Sequence, residues 1–347
     1  MATMTAAFFN GRGQMELHDH PRPEAGPGDA VIRVQSTGIC GSDLQMNVDK
    51  VAPDKMPAGH EVAGEIVEIG DGVDPTLMGK RVAVEIIGQG RACTTCWYCR
   101  QGQFIACQNM APPESGGFAE YMMRKAIACY PFPDSLSWAE GAMVEPLAVS
   151  IHGVRRGGMS GGETVAVLGS GTIGLMAIAA ARAMGAGKII ATARYEQQAT
   201  LAKVLGADEA LPDSGPDFKQ AIDDSTEGRG ADLTIETVGG HQDQTAAQAV
   251  DVTRMQGRIV ILGGYRRPFE FDFLRPLVKE QSIIFSSCYS VLDGRHDYEV
   301  AIDMIASGQA DIEQMVTHKY RLDQVQTAFE TSYDKGTGVI KVQIHQD

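Results

Sequence analysis

The chain has 347 residues, 44% hydrophobic and 21% charged, with 30 Lys and Arg against 44 Asp and Glu for a formal charge of −14. That length exceeds what one hydrophobic core usually serves, so two domains are expected; the acidic balance and the lack of any basic run exclude a phosphate-backbone binder. No apolar run reaches the roughly 18 residues of a membrane span, and the N-terminal stretch carries His18, Asp19 and His20 where a signal peptide needs an apolar core, so a cytoplasmic protein with no membrane or nucleic-acid partner is expected.

In chain order, the first 150 residues hold short β-like runs, VIRVQS (31–36), EVAGEIVEIG (61–70) and KRVAVEII (80–87), separated by Gly, Pro and Asp clusters. They predict an irregular β domain. From Gly161 the texture becomes strand–helix alternation: ETVAVLG, TIGLMAIAAARAM, KIIATA, QQATLAKVLGA, ADLTIETVG and GRIVILGG. Near-continuous apolar strands between amphipathic helices predict a parallel sheet. After about Ser286 a helical segment, HDYEVAIDMIASG, is followed by a terminal strand, GVIKVQI. The 16 methionines scatter singly and read as core positions.

The seven cysteines are an odd number and do not suggest a disulfide framework. Cys93, Cys96, Cys99 and Cys107 lie within fifteen residues (about 91–110 as a lobe) at a spacing that lets four thiolates converge on one tetrahedral ion. A closed Cys₄ shell has no open position, so this zinc is predicted to be structural. Cys129 and Cys288 sit among apolar residues and read as core thiols.

Gly169-Ser170-Gly171-Thr172-Ile173-Gly174 fits the Gly-x-Gly-x-x-Gly fingerprint between a predicted strand and helix, the context that makes it a pyrophosphate cradle. An NAD site usually has an acid at the tip of the second strand; here the tip reads Ala193-Arg194-Tyr195. With no carboxylate and a guanidinium beside the gap, NADP is favoured over NAD, since Arg suits a 2′-phosphate. The competing reading places the NAD ribose on Glu196.

Upstream lie Cys40, Ser42 and Asp43 in Gly-Ile-Cys-Gly-Ser-Asp, then Gly59-His60-Glu61; Val144-Glu145-Pro146 precedes the dinucleotide fold. Together with the cysteine lobe, the glycine loop, Gly116-Gly117-Phe118-Ala119-Glu120-Tyr121 and Val316-Thr317-His318, this order closely resembles the zinc-dependent medium-chain alcohol dehydrogenases. Glu145 in place of a second catalytic cysteine resembles the polyol (sorbitol-type), threonine and butanediol branch.

The resemblance implies an α/β chain: a GroES-like β-rich catalytic domain from 1–149 and 286–347, and a doubly wound Rossmann domain at 150–285. It implies a second, catalytic zinc on Cys40, His60 and one of Glu61 and Glu145. Three anionic ligands would blunt the ion's polarising power, so the two glutamates are not expected to bind together, and either can be the ligand. Asp43 would orient His60, and Ser42 would relay the alcohol proton. Gln45 stands where many relatives carry a relay histidine, so proton exit would use water, the ribose or another group such as His152. Leu262 and Gly263 join the cofactor-binding set. The implied reaction is hydride exchange between NADP(H) and a secondary alcohol or ketone of a polyol, vicinal diol or sugar derivative. Its alternatives are an NAD-linked threonine- or butanediol-type enzyme and a zinc-free quinone or enoyl reductase. No Arg stands at Ser286-Ser287, which weakens a strict sorbitol assignment. A homodimer or homotetramer is expected, with EQSIIFSS (280–287) as the edge strand.

Overall fold

The computed structural model describes residues 2–49, 54–112 and 115–346. Its chain divides into two compact units, one of Met1–Glu145, Tyr289–Ala306 and Glu313–Asp347, the other of Pro146–Cys288 and Ser307–Ile312. The second unit therefore interrupts the first in sequence. The first crossing from one to the other lies inside a helix, Trp138–Arg156, rather than in a loop. Among the described residues no helix is long and apolar enough to cross a membrane.

The second unit is built on a six-stranded sheet in the order Glu209–Pro212, Lys188–Ala193, Thr164–Leu168, Ala231–Glu236, Thr253–Ile261, Ser282–Phe285, with every pair parallel. Strands buried on both faces read as apolar runs, and Val165, Ala166, Val167 and Leu168 are fully buried. In sequence terms the order is 3-2-1-4-5-6, the doubly wound arrangement, whose direction reverses between Thr164–Leu168 and Ala231–Glu236. Helix Thr172–Ala183 buries Gly174 through Ala181 without a break; its small alanines allow helix and sheet to approach closely.

The first unit is organised on a larger sheet: Val316–Arg321, Lys341–His345, Asp29–Gly38, Glu61–Ile69, Arg81–Val84 and Cys129–Pro131, with Tyr121–Lys125 also pairing to Asp29–Gly38. The terminal strand Lys341–His345 runs parallel to Val316–Arg321 and antiparallel to Asp29–Gly38. The chain end thus enters the middle of the sheet next to the segment that carries Cys40. One apolar cluster joins Ile39 and Phe118 to Phe329 and Ile344, and another joins Ile32 and Ile66 to Met122. The run KRVAVEII forms a strand only over Arg81–Val84. It stops there because the Glu85 carboxylate, fully buried, turns to accept the N–H groups of Gly88 and Gly90 at 2.5 and 3.0 Å.

Candidate active site

Cys40 follows strand Asp29–Gly38, whereas His60 directly precedes Glu61–Ile69, the strand's antiparallel neighbour. Pairing of Gly38 with Glu61 brings these ends together. The ligand-type atoms of Cys40, His60 and Glu61 all lie within 4.8 Å of one another. Glu145, 4% exposed on helix Trp138–Arg156, is not a member of that group.

Asp43 ties the ligand residues to each other. Its Oδ2 accepts the Cys40 backbone N–H at 2.9 Å, and its Oδ1 faces His60 Nδ1 at 3.5 Å. Ser42 Oγ is 3.5 Å from His60 Nε2. Burial pushes the imidazole down, but the Asp43 carboxylate and then the Cys40 thiolate outweigh it and hold His60 well above its usual range. Burial, reinforced by Glu61 and opposed by His60 and Lys341, lifts the Glu145 carboxyl to about 8. Glu145 is therefore a neutral acid at pH 7 as long as no further cation faces it.

One residue here has no counterpart in the sequence reading. Lys341 Nζ donates to Glu61 Oε1 at 2.6 Å and to the Ile39 carbonyl at 3.0 Å, and also lies against Glu61 Oε2. Burial would lower its pKa, yet Glu61 and Cys40 opposite raise it above the ordinary value. The only signal in the sequence was a lysine inside the apolar run VIKVQI.

The cysteine lobe is assembled by one stretch of chain. Cys96 caps the short helix Trp97–Arg100, which carries Cys99, and Cys107 ends a 3₁₀ turn at Phe104–Ala106. Cys96 Sγ lies 3.4 Å from Cys99 Sγ and Cys93 Sγ 4.0 Å from Cys99 Sγ. A Zn–S tetrahedron has edges of about 3.8 Å, so the four sulfurs fit one zinc ion. Backbone N–H groups of Cys96 and Asn109 point at Cys93 and Cys107 sulfurs at 3.4 and 3.3 Å, as thiolate ligands require. For the group around Cys40, one thiol, one imidazole and one carboxylate match a borderline-soft divalent ion and leave a fourth position open.

In the second unit the glycine loop lies at the carboxyl ends of the central strands. Gly169 has φ +93° and donates its N–H to Thr192 Oγ1 at 2.8 Å. A Cβ on Gly174 would collide with the Gly169 carbonyl oxygen, whereas one on Gly171 would meet nothing within 4 Å. Gly171 also caps helix Thr172–Ala183 without a side chain, so first-turn N–H groups near Thr172 and Ile173 face an uncluttered approach suited to an anion. The turn at Leu262 and Gly263 is fixed by N–H donation from both to the Glu236 carbonyl, at 2.8 and 3.0 Å. At the second strand's tip Ala193 is buried, the Tyr195 N–H reaches Gln198 Oε1 at 3.4 Å, and exposed Arg194 donates through Nε to Asp213 Oδ2 at 2.9 Å. Asp213, just past the next strand, is a carboxylate that distance along the chain concealed.

An alcohol dehydrogenase GroES-like domain model matches residues 26–134, and a zinc-binding dehydrogenase model matches 172–307. The sorbitol dehydrogenase of Bacillus subtilis is 32% identical, covering 99% of this chain and 97% of its own. A solved zinc-binding dehydrogenase from Sinorhizobium meliloti 1021, bound to NADP, superposes with a TM-score of 0.85 at 28% identity, covering 99% of this chain and 100% of that one. An Escherichia coli CFT073 protein, described as a short chain alcohol dehydrogenase in complex with NADH, gives 0.88 at 25% identity with 99% and 100% coverage. Fold and matches define a dinucleotide-dependent, zinc-type oxidoreductase. The chain belongs to the zinc-dependent medium-chain alcohol and polyol dehydrogenase family and acts on CH–OH groups. That membership sets the zinc-free reductase alternative aside.

Proposed function

We propose that this protein is an NADP-linked dehydrogenase of a polyol or vicinal diol, with a catalytic zinc on Cys40, His60 and Glu61 and a structural zinc on Cys93, Cys96, Cys99 and Cys107. The observation that carries the reading is the convergence of a thiol, an imidazole and a carboxylate within 4.8 Å, beside the Ser42 hydroxyl. When bound, zinc supplies Lewis-acid polarisation of the alcohol oxygen, and the nicotinamide supplies a two-electron hydride acceptor. Asp43 orients His60, and Ser42 Oγ accepts the alcohol proton while passing its own onward. Glu61 lies with Cys40 and His60 whereas Glu145 is not a member of that group, which favours Glu61 as the direct ligand and keeps a third negative charge out of the set. With Gln45 unable to titrate, protons leave Ser42 through water.

For the cofactor, the support is the missing carboxylate at Ala193 and the exposed Arg194. The Nε contact to Asp213 fixes the guanidinium and leaves its two terminal nitrogens for a 2′-phosphate. An NAD-linked reading draws on the same ion pair, since Asp213 already neutralises Arg194. The test is reduced-nicotinamide absorbance with NADP⁺ and NAD⁺ across polyols, vicinal diols, sugars, threonine and simple alcohols. Turnover with polyols or diols and NADP⁺ is expected. Ala193→Asp combined with Arg194→Ser should move preference toward NAD by about 10–100-fold; unchanged NADP preference defeats the cofactor assignment.

Seven cysteines, five of them assigned above to zinc and none paired in a disulfide, suit a reducing compartment, the cytoplasm. The edge strand Ser282–Phe285 leaves Phe285 73% exposed, beside exposed Phe273, Leu274, Leu277 and Val278. Such an edge is rarely left bare, and pairing with a second copy makes the protein a homodimer or a tetramer built from such dimers. Phe285→Asp should lower the mass seen in sedimentation.

A further inference from the structure

Lys341 and Glu61 form an ion pair in which the lysine is 2% and the glutamate 1% exposed. Burying such a pair contributes little net stability compared with apolar side chains of the same volume, so stability alone does not account for it. Its surroundings are built to admit it. A Cβ on Gly38 would collide with Glu61 Oε2 and lie 2.9 Å from Lys341 Cε. Gly38 is not among the glycines with positive φ, so its backbone would accept any residue; glycine is needed there for room alone.

The ammonium reaches both sides of the ligand set at once. It holds the carbonyl of Ile39, the residue before Cys40, and the carboxylate of Glu61, the residue after His60. Resting on the zinc site assigned above, we propose that Lys341 is a positioning residue: by gripping Glu61 it limits how much negative charge that carboxylate delivers to a metal on Cys40 and His60. A carboxylate free to bind through both oxygens would add its charge to the thiolate's and fill the position left open for substrate. With Lys341 in place, part of the carboxylate's charge is already spent on the ammonium and Oε1 is held by a hydrogen bond, which leaves Glu61 one oxygen for the metal.

The test compares zinc-loaded wild type with Lys341→Met and Lys341→Arg. Metal content is read by mass spectrometry, zinc release by a chromogenic chelator, and coordination by the thiolate charge-transfer band after cobalt exchange. Wild type should carry two zinc ions per chain. In Lys341→Met, Glu61 is free to engage the metal with both oxygens. The catalytic zinc should then leave roughly tenfold more slowly, the cobalt band should shift and kcat should fall. Lys341→Arg keeps the charge and should hold zinc release closer to wild type than Lys341→Met does. Release from Lys341→Met that is unchanged or faster overturns the proposal. If Lys341→Met does not fold, Gly38→Ala displaces the Glu61 carboxylate while keeping the lysine, and should release the catalytic zinc faster; unchanged release overturns it. A wild-type chain with a single zinc, lost on mutation of the cysteine lobe, would sink the underlying site assignment instead.

Discussion

The two cysteine-bearing clusters of the first unit are built in opposite ways. In the lobe, Cys93, Cys96 and Cys107 are partly exposed, all four sulfurs come from one short stretch, and backbone N–H groups stabilise the thiolates. The group around Cys40 has a nearly inaccessible carboxylate and draws its counter-charge from Lys341, 280 residues from Glu61. We expect the closed shell to depend on its metal for local stability. In the group around Cys40, pairing of Gly38 with Glu61 brings residues distant in sequence together, an arrangement suited to a site that keeps a coordination position for chemistry.

The strongest way to break that contrast is His60→Ala. It should remove one zinc per chain, leave the lobe metal in place and cut turnover by about 10³-fold or more, the equivalent of several kcal/mol of lost polarisation; metal analysis beside steady-state kinetics reads both. Cys96→Ser should do the reverse, releasing the lobe zinc and costing several kcal/mol of local stability. Proteolysis around residues 91–110 should then accelerate, while kcat of the folded fraction stays within about tenfold. Turnover lost as completely as in His60→Ala would show that the lobe is no independent structural element.

A smaller effect is expected from Asp43→Asn, which weakens the orientation of His60 and Cys40. A loss of about 10–100-fold in turnover or catalytic-zinc affinity should follow with both metals still loadable. The smallest concerns acid. The Thr95 hydroxyl, 3.5 Å from the sulfur, followed by the N–H groups of Thr95 and Cys96, holds the Cys93 thiol down to about 5, whereas burial and the neighbouring thiols push Cys99 up to about 12. Protons compete with the metal for thiolate, so lobe affinity is highest above the ligands' pKa values and falls as pH drops through them. Thr95→Val should therefore move acid-induced zinc release from the lobe to higher pH, by less than about one unit. A chelator assay across pH 4–7 would show it; a shift downward would contradict the hydroxyl's role.

What can be read without coordinates follows sequence distance. The cysteine lobe and the loop Gly169–Gly174 are local patterns: the atoms that must meet are a few residues apart, so spacing nearly fixes geometry. The alternating strands and helices after Gly161 were legible for a related reason, since a parallel strand buried on both faces has to be apolar throughout. The run KRVAVEII is longer than the strand it forms, because the turn that ends the strand is set by Glu85 bonding to Gly88 and Gly90, a choice that hydropathy does not register.

The amino-acid sequence by itself determined the residue types able to hold metals, the dinucleotide loop and the missing acid at Ala193. Only the tertiary structure decided that Glu61 rather than Glu145 lies with Cys40 and His60, that Asp213 meets Arg194, and that Lys341 meets Glu61 over the bare Cα of Gly38. The physical reason is sheet order. Alternation along a strand tells which side a residue takes, but which charge waits there depends on the neighbouring strand. Here the last strand of the chain inserts between Val316–Arg321 and Asp29–Gly38 and delivers a buried ammonium to residues read near the beginning.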